Sequence, residues 1–194
     1  MWKAVCSRQA LVGGVLLFAT MALSSGLSTA SAYTFTRLYS FCQQSHCADG
    51  KDPRSALTMD AAGNLYGTTT AGGSAGVGTI YKLSRNDRGK WKQKVLHSFC
   101  SAPSCTDGST PWGGVVIDGN GNLYGTTMEG GAHGKGVVYR WSRKGFQVLH
   151  DFCSQERCAD GHESWTSLTY AGAASGVAYD GSSPLYGVTY NGGL

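Results

Sequence analysis

The residues best placed to do chemistry are six cysteines in three identical spacings, Cys42-x4-Cys47, Cys100-x4-Cys105 and Cys153-x4-Cys158. Such pairs close disulfides or ligate a metal. With Cys6 set aside among the first 32 residues, which read as a signal peptide, the count is even, and an even count in an exported chain reads as a disulfide framework. Each sequence repeat carries its own pair, which selects Cys42–Cys47, Cys100–Cys105 and Cys153–Cys158 from the pairings that six cysteines allow. Closing so short a loop stabilises by roughly 2 kcal/mol in the chain-entropy treatment. A zinc site needs four ligands together. His46 beside Cys47 is a possible ligand, but Ser104 and Arg157 stand in its place in the other copies. Disulfides are therefore preferred to metal.

Other candidates recur with the repeat. His97 and His150 occupy one position, where the first copy has Tyr39. A histidine there titrates near neutral pH, but a slot for a flat, half-buried ring accounts equally for the tyrosine. Asp49, Asp107 and Asp160 each precede glycine; as a set they offer calcium ligands, but Asp-Gly is above all a turn dipeptide. Asp118-x-Asn120-x-Asn122 starts like a calcium loop, yet Leu123 stands where that loop needs glycine. The first copy, Asp60-x-Ala62-x-Asn64, supports a hairpin turn instead. The pairs Gly72-Gly73, Gly130-Gly131 and Gly192-Gly193 lack the helix and lysine of a phosphate cradle. Lys82, Arg85, Arg88, Lys90, Lys92 and Lys94 gather on one hairpin, with Arg140, Arg143 and Lys144 at the equivalent place. They are candidate contacts for a polyanion such as an acidic glycan; the competing reading is a solvated edge whose lysines deter strand pairing. No serine elbow and no pair of acids suited to glycoside hydrolysis stands out. Catalytic, cofactor and metal residues are therefore none.

These residues are positioned by a motif that copies itself. Gly63-Asn64-Leu65-Tyr66-Gly67-Thr68-Thr69 returns as Gly121-Asn122-Leu123-Tyr124-Gly125-Thr126-Thr127, and in worn form as Pro184-Leu185-Tyr186-Gly187-Val188-Thr189. Self-similarity at a fixed period marks a repeat protein. The signature positions are Asn64, Tyr66 and Gly67, then Asn122, Tyr124 and Gly125, then Tyr186 and Gly187. Glycine, 29 in 194 residues, is about twice its usual ~7% share, as short strands and tight turns require. The first unit predicts strands over Ser55–Met59, Asn64–Thr70, Gly78–Ser84 and Trp91–Phe99. The second predicts Gly113–Ile117, the Tyr124 strand, Val137–Ser142 and Phe146–Phe152. The third predicts Trp165–Tyr170 and Tyr186–Tyr190, joined by an enlarged connection, 171–183. Tyr33–Phe41 alternates like a strand as well. The expected domain is residues 33–194, with units at 48–100, 106–153 and 159–194. The fold class is all-β. Four short antiparallel strands per unit predict a partial or open β-propeller; a β-sandwich is the alternative.

The unit Leu-His-x-Phe … Asp-Gly … Pro … Asp-x-x-Gly-Asn-Leu-Tyr-Gly-Thr-Thr-x-x-Gly-Gly … Gly-x-Gly-x-Val-Tyr resembles the tandem-repeat family of bacterial exported proteins called GloVer. The resemblance covers nearly all of residues 33–194. It implies a β-propeller-like extracellular protein of unassigned activity. Its members generally carry more repeats and often end in a sorting or anchoring segment; the cysteine pairs are a departure.

The first 32 residues read as a secretory signal peptide. Lys3 and Arg8 precede an apolar run from Ala10 to Leu23, and Ala30-Ser31-Ala32 supplies the cleavage signal after Ala32. A membrane anchor is the rival, but the run is short of the ~20 residues a span needs. No membrane span remains after its removal. Losing Lys3 and Arg8 takes the formal net charge from +4 to +2, which gives no reason to expect nucleic acid. The expected function is an exported non-catalytic β-repeat module, binding or structural, secreted to the periplasm or outside the cell. The alternative is a propeller-type hydrolase or lyase acting on glycans, with Asp180 the titratable group of the connection 171–183. Expected partners are surface glycans or protein, and other copies through unpaired terminal strands. A lone monomer is expected to be an open arc; a longer repeat protein or an oligomer would close the ring.

Overall fold

The computed structural model describes residues 35–193; the signal-peptide reading falls on residues 1–32, outside them. Residues from Tyr39 onward form one compact unit, and the described residues 35–38 fall outside it. The chain is all-β. The first sheet runs β1 (Thr58–Met59), β2 (Leu65–Thr69), β3 (Thr79–Arg85) and β4 (Trp91–Ser98). The second runs β5 (Val116–Ile117), β6 (Leu123–Thr126), β7 (Val137–Ser142) and β8 (Gly145–Asp151). β9 (Thr169–Tyr170) and β10 (Leu185–Tyr186) make a two-stranded third. Every ladder is antiparallel, and each four-stranded sheet lies in chain order. Both long hairpins carry the same register shift, between Ile80 and Tyr81 and between Val138 and Tyr139.

Successive sheets pack on one another. Tyr66, Ile80 and Phe99 of the first unit share a core with Val115, Leu123, Val137 and Tyr139 of the second. Val116 and Tyr124 of the second share another with Leu168 and Tyr179 of the third. β2 is therefore buried on both faces, as is β6. Threonines of the signature bond the next unit: Thr68 Oγ1 donates to Gly113 O at 2.8 Å, and Thr126 Oγ1 to Thr166 O at 3.2 Å. The face covered in this way in the first two units is open in the third. Tyr66 and Tyr124 are 7% and 5% exposed, Tyr186 55%.

The first strand of each unit is shorter than the sequence predicts. Ser55–Met59 and Gly113–Ile117 keep only their last two residues as ladder. The preceding residues run against neighbouring units: a Cβ on Gly114 would lie 2.7 Å from Ala56 O, and Gly114 N donates to Ser167 Oγ at 2.7 Å. Beside them the rings form a column. The Arg54 guanidinium lies 4.9 Å from the Trp112 ring centre, Trp112 stacks on Trp165 at 5.5 Å, and Trp165 stacks on Tyr190 at 5.0 Å.

The Tyr33–Phe41 strand that the sequence predicts has no ladder over its described part, residues 35–41. The equivalent strands β4 and β8 are built on β3 and β7. Residues 35–41 have no such partner strand among the described residues. Alternating composition alone does not make a strand.

Candidate functional site

The cysteine turns, the aspartates and the recurrent rings form one assembly, repeated three times. Each cysteine pair closes a single turn, with Cα–Cα distances of 4.0, 3.9 and 4.0 Å and sulfurs at disulfide distance. Cys42 N, Cys100 N and Cys153 N donate to the carbonyls of Gly50, Gly108 and Gly161. The Gly-Gly loop lies directly on this turn. A Cβ on Gly72 would meet Cys47 O at 2.6 Å, and one on Gly130 would meet Cys105 O at 2.7 Å, both at positive φ. Only glycine satisfies both demands.

The aspartate of each Asp-Gly pair sits inside the turn. Asp107 accepts from Ser101 N, Ser101 Oγ and Ala102 N, and its Oδ2 lies 3.0 Å from His97 Nε2. Asp160 repeats this with Ser154, Gln155 and His150. Asp49 does so with Gln43 and Gln44, and there Tyr39 Oη donates at 2.7 Å. Burial would raise the Asp107 carboxyl, but its hydrogen bonds from Ser101 and Ala102 outweigh this and hold it below the ordinary carboxylate range. Burial lowers His97, and the pull of Asp107 does not make up the difference. His97 is thus the neutral ring at pH 7, with its Nε2 hydrogen on Asp107. The arrangement orients a ring, which is 12% exposed and stacks on Phe146.

A second carboxylate organises the signature. Asp60 Oδ1 accepts from Ala62 N and Asn64 N, and Oδ2 from Asn64 Nδ2 and Tyr66 Oη. Asp118 takes the same four donors from Asn120, Asn122 and Tyr124. Burial would raise both carboxyls; the four bonds hold them below their usual value. Burial and the bond to Asp60 push the Tyr66 phenol up to about 12. The signature glycines clear space for the tyrosine directly opposite on the next strand: a Cβ on Gly67 would lie 2.7 Å from Tyr81 Oη, and on Gly125 2.5 Å from Tyr139 Oη. In the third unit Asp180 bonds only Ser182 N and Ser183 N, and Pro184 replaces the asparagine. Gly187 faces Leu168 there. Among the described residues no three His, Cys, Asp or Glu side chains are grouped as metal ligands.

The six basic residues of the first hairpin are divided by the fold. Arg85 lies over the Trp91 ring, 4.9 Å from its centre. Arg88 and Lys90 lie at the exposed hairpin tip, and Lys92 is exposed opposite Ser84. Lys82 and Lys94 stand directly opposite each other on β3 and β4 and line a groove of about 960 Å³ between the first two sheets. Arg143 enters it from the second sheet, and Tyr66, Leu96, Ile117 and Trp141 are among its lining. Lys82 Nζ lies 5.5 Å from the Tyr66 ring centre.

The model of the Gloeobacter/Verrucomicrobia repeat matches residues 27–194. The chain belongs to that family. No curated protein and no solved structure matches it significantly. In this Gloeobacter/Verrucomicrobia repeat, the sequence reading leaves the recurrent ring and the recurrent aspartate as separate features. A signal joins them: Tyr39–Asp49, His97–Asp107 and His150–Asp160 are each ten residues apart. The sequence also shows Asp60 and Asp118 as turn residues, but not as acceptors of the signature Asn and Tyr.

Proposed function

We propose that this repeat protein is an exported, non-catalytic module with a propeller-like arrangement of its sheets and a binding or structural role outside the cell. The observation that carries the reading is that its recurrent polar residues are spent on its own turns. Asp49, Asp60, Asp107, Asp118 and Asp160 each accept several internal hydrogen bonds. His97 and His150 each face one of these carboxylates. In each pair the carboxylate is committed to backbone and side-chain donors of its own turn, and the ring is held against it, which is the work of a scaffold.

Other features support the remaining parts. Disulfide-distance cysteine pairs suit an oxidising compartment. Among the described residues no helix is long and apolar enough to cross a membrane. Four-stranded antiparallel sheets stacked face to face, with their first strands converging at Gly114, suit propeller blades. The test is fractionation of cells producing the full chain, with intact mass and a polysaccharide turnover screen. The expected result is mature protein starting at Tyr33 outside the cytoplasm and no turnover. Retention in the cytoplasm overturns export, and turnover abolished by Asp180→Asn overturns the non-catalytic reading.

A further inference from the structure

Lys82 and Lys94 face each other across the β3–β4 ladder, and like charges directly opposite destabilise a sheet. Arg143 lines the same groove. Among the described residues, none of the three has a carboxylate within ion-pair reach. The two aspartates nearby, Asp60 and Asp118, each hold four internal donors. The second sheet shows that the repeat does not demand this charge. There the equivalent positions are Arg140 and Gln147, joined by a 2.8 Å hydrogen bond. Of the two four-stranded sheets, the first alone carries the doubled cation.

We propose that this groove binds an acidic polysaccharide, with Lys82, Lys94 and Arg143 holding its uronate carboxylates and Ser84 and Asn120 meeting its hydroxyls. The assignment names a ligand for the binding module proposed above and rests on that reading. Its volume, about 960 Å³, is at the top of the range of about 300–1,000 Å³ for small-ligand pockets, room for several sugar rings rather than one small anion. Besides the three cations and the two aspartates already committed to the signature, the lining carries hydroxyl and amide groups that a charged, hydroxylated polymer can bond. It suits a single-stranded nucleic acid less well, because such binding relies on free aromatic faces. Both rings here are engaged: Lys82 covers Tyr66, and Trp141 packs on the core with its Nε1 hydrogen on Leu96 O at 3.1 Å.

Affinity electrophoresis of the purified mature chain in gels containing polygalacturonate, dextran or oligo-dT tests this. Retardation by polygalacturonate alone is expected, weakening as salt rises from about 50 to about 300 mM. Lys94→Gln, which reproduces the second sheet's residue and spares the fold, should weaken binding severalfold. Lys82→Gln with Lys94→Gln should weaken it about tenfold or more. Arg88→Gln with Lys90→Gln, at the hairpin tip, should bind like the parent. Absent retardation, equal retardation by dextran, tighter binding to oligo-dT, or groove variants that bind unchanged would each overturn the site. Those results leave the scaffold reading standing. Shortening of the retained polymer supports the site and overturns the non-catalytic reading.

Discussion

His97 Nε2 and Asp107 Oδ2 lie 3.0 Å apart, and the other side of the histidine stacks on Phe146 of the next sheet at 4.1 Å. One ring thus ties a cystine turn to the packing between two units. Its titration should be felt in stability. Burial lowers the His97 pKa, so between that value and about 6.5 the unfolded chain binds the extra proton. The stabilisation is complete above about pH 6.5 and is lost as pH falls through the lowered value. Asp107, also held low, adds a further loss at more acid pH, below its unfolded value of about 3.9. Thermal melts from neutral to acid pH should show this slope. His97→Tyr should flatten the first part while keeping the fold, because Tyr39 makes the same bond to Asp49. An unchanged slope in that variant would assign the effect elsewhere.

Removing the signature's carboxylate should be costly. Asp118→Ala strips the acceptor from two backbone N–H groups, Asn122 and the buried Tyr124 hydroxyl. A loss of about 2–4 kcal/mol is expected in urea unfolding. Asp180→Ala, exposed and holding only two N–H groups, should cost far less. Equal losses would mean that the four-donor hub is not what the signature is for.

Tyr139 and the signature glycine opposite it, Gly125, should respond differently to substitution. Tyr139 Oη is buried with no hydrogen-bond partner in the described protein, so Tyr139→Phe should be close to neutral. Gly125→Ala, whose Cβ would lie 2.5 Å from that oxygen, should destabilise by about 1–3 kcal/mol. The pair together should recover part of the loss. Additive losses in a double-mutant cycle would contradict the contact.

Non-reducing peptide mapping should return Cys42–Cys47, Cys100–Cys105 and Cys153–Cys158 as the main species, and reduction should cost roughly 2 kcal/mol per loop. A dominant link between repeats would sink this assignment.

How much the sequence told depends on how local the cause was. β7 has the bounds its alternation predicts, Val137–Ser142, and β2, β3, β4, β6 and β8 follow theirs within a few residues, because pattern and hairpin turn act within one stretch. Ser55–Met59 fell to two residues of ladder because Ala56 meets Gly114, a contact across 58 positions that no window displays. The hairpin's six cations fall within residues 82–94, but pleating sends Lys82 and Lys94 into a groove and Arg85 onto Trp91. The groove itself needs Arg143 from the second unit, so it was invisible in either repeat alone.

The column that runs Arg54, Trp112, Trp165, Tyr190 has an optical consequence. Two indoles held 5.5 Å apart and 17° from parallel are close enough for their transitions to couple, and they belong to consecutive units. Their joint near-ultraviolet circular dichroism therefore reports the seating of one repeat on the next. Loosening of that seat would erase the signal while the amide bands of each hairpin persist, giving the molecule a built-in gauge of its own stacking.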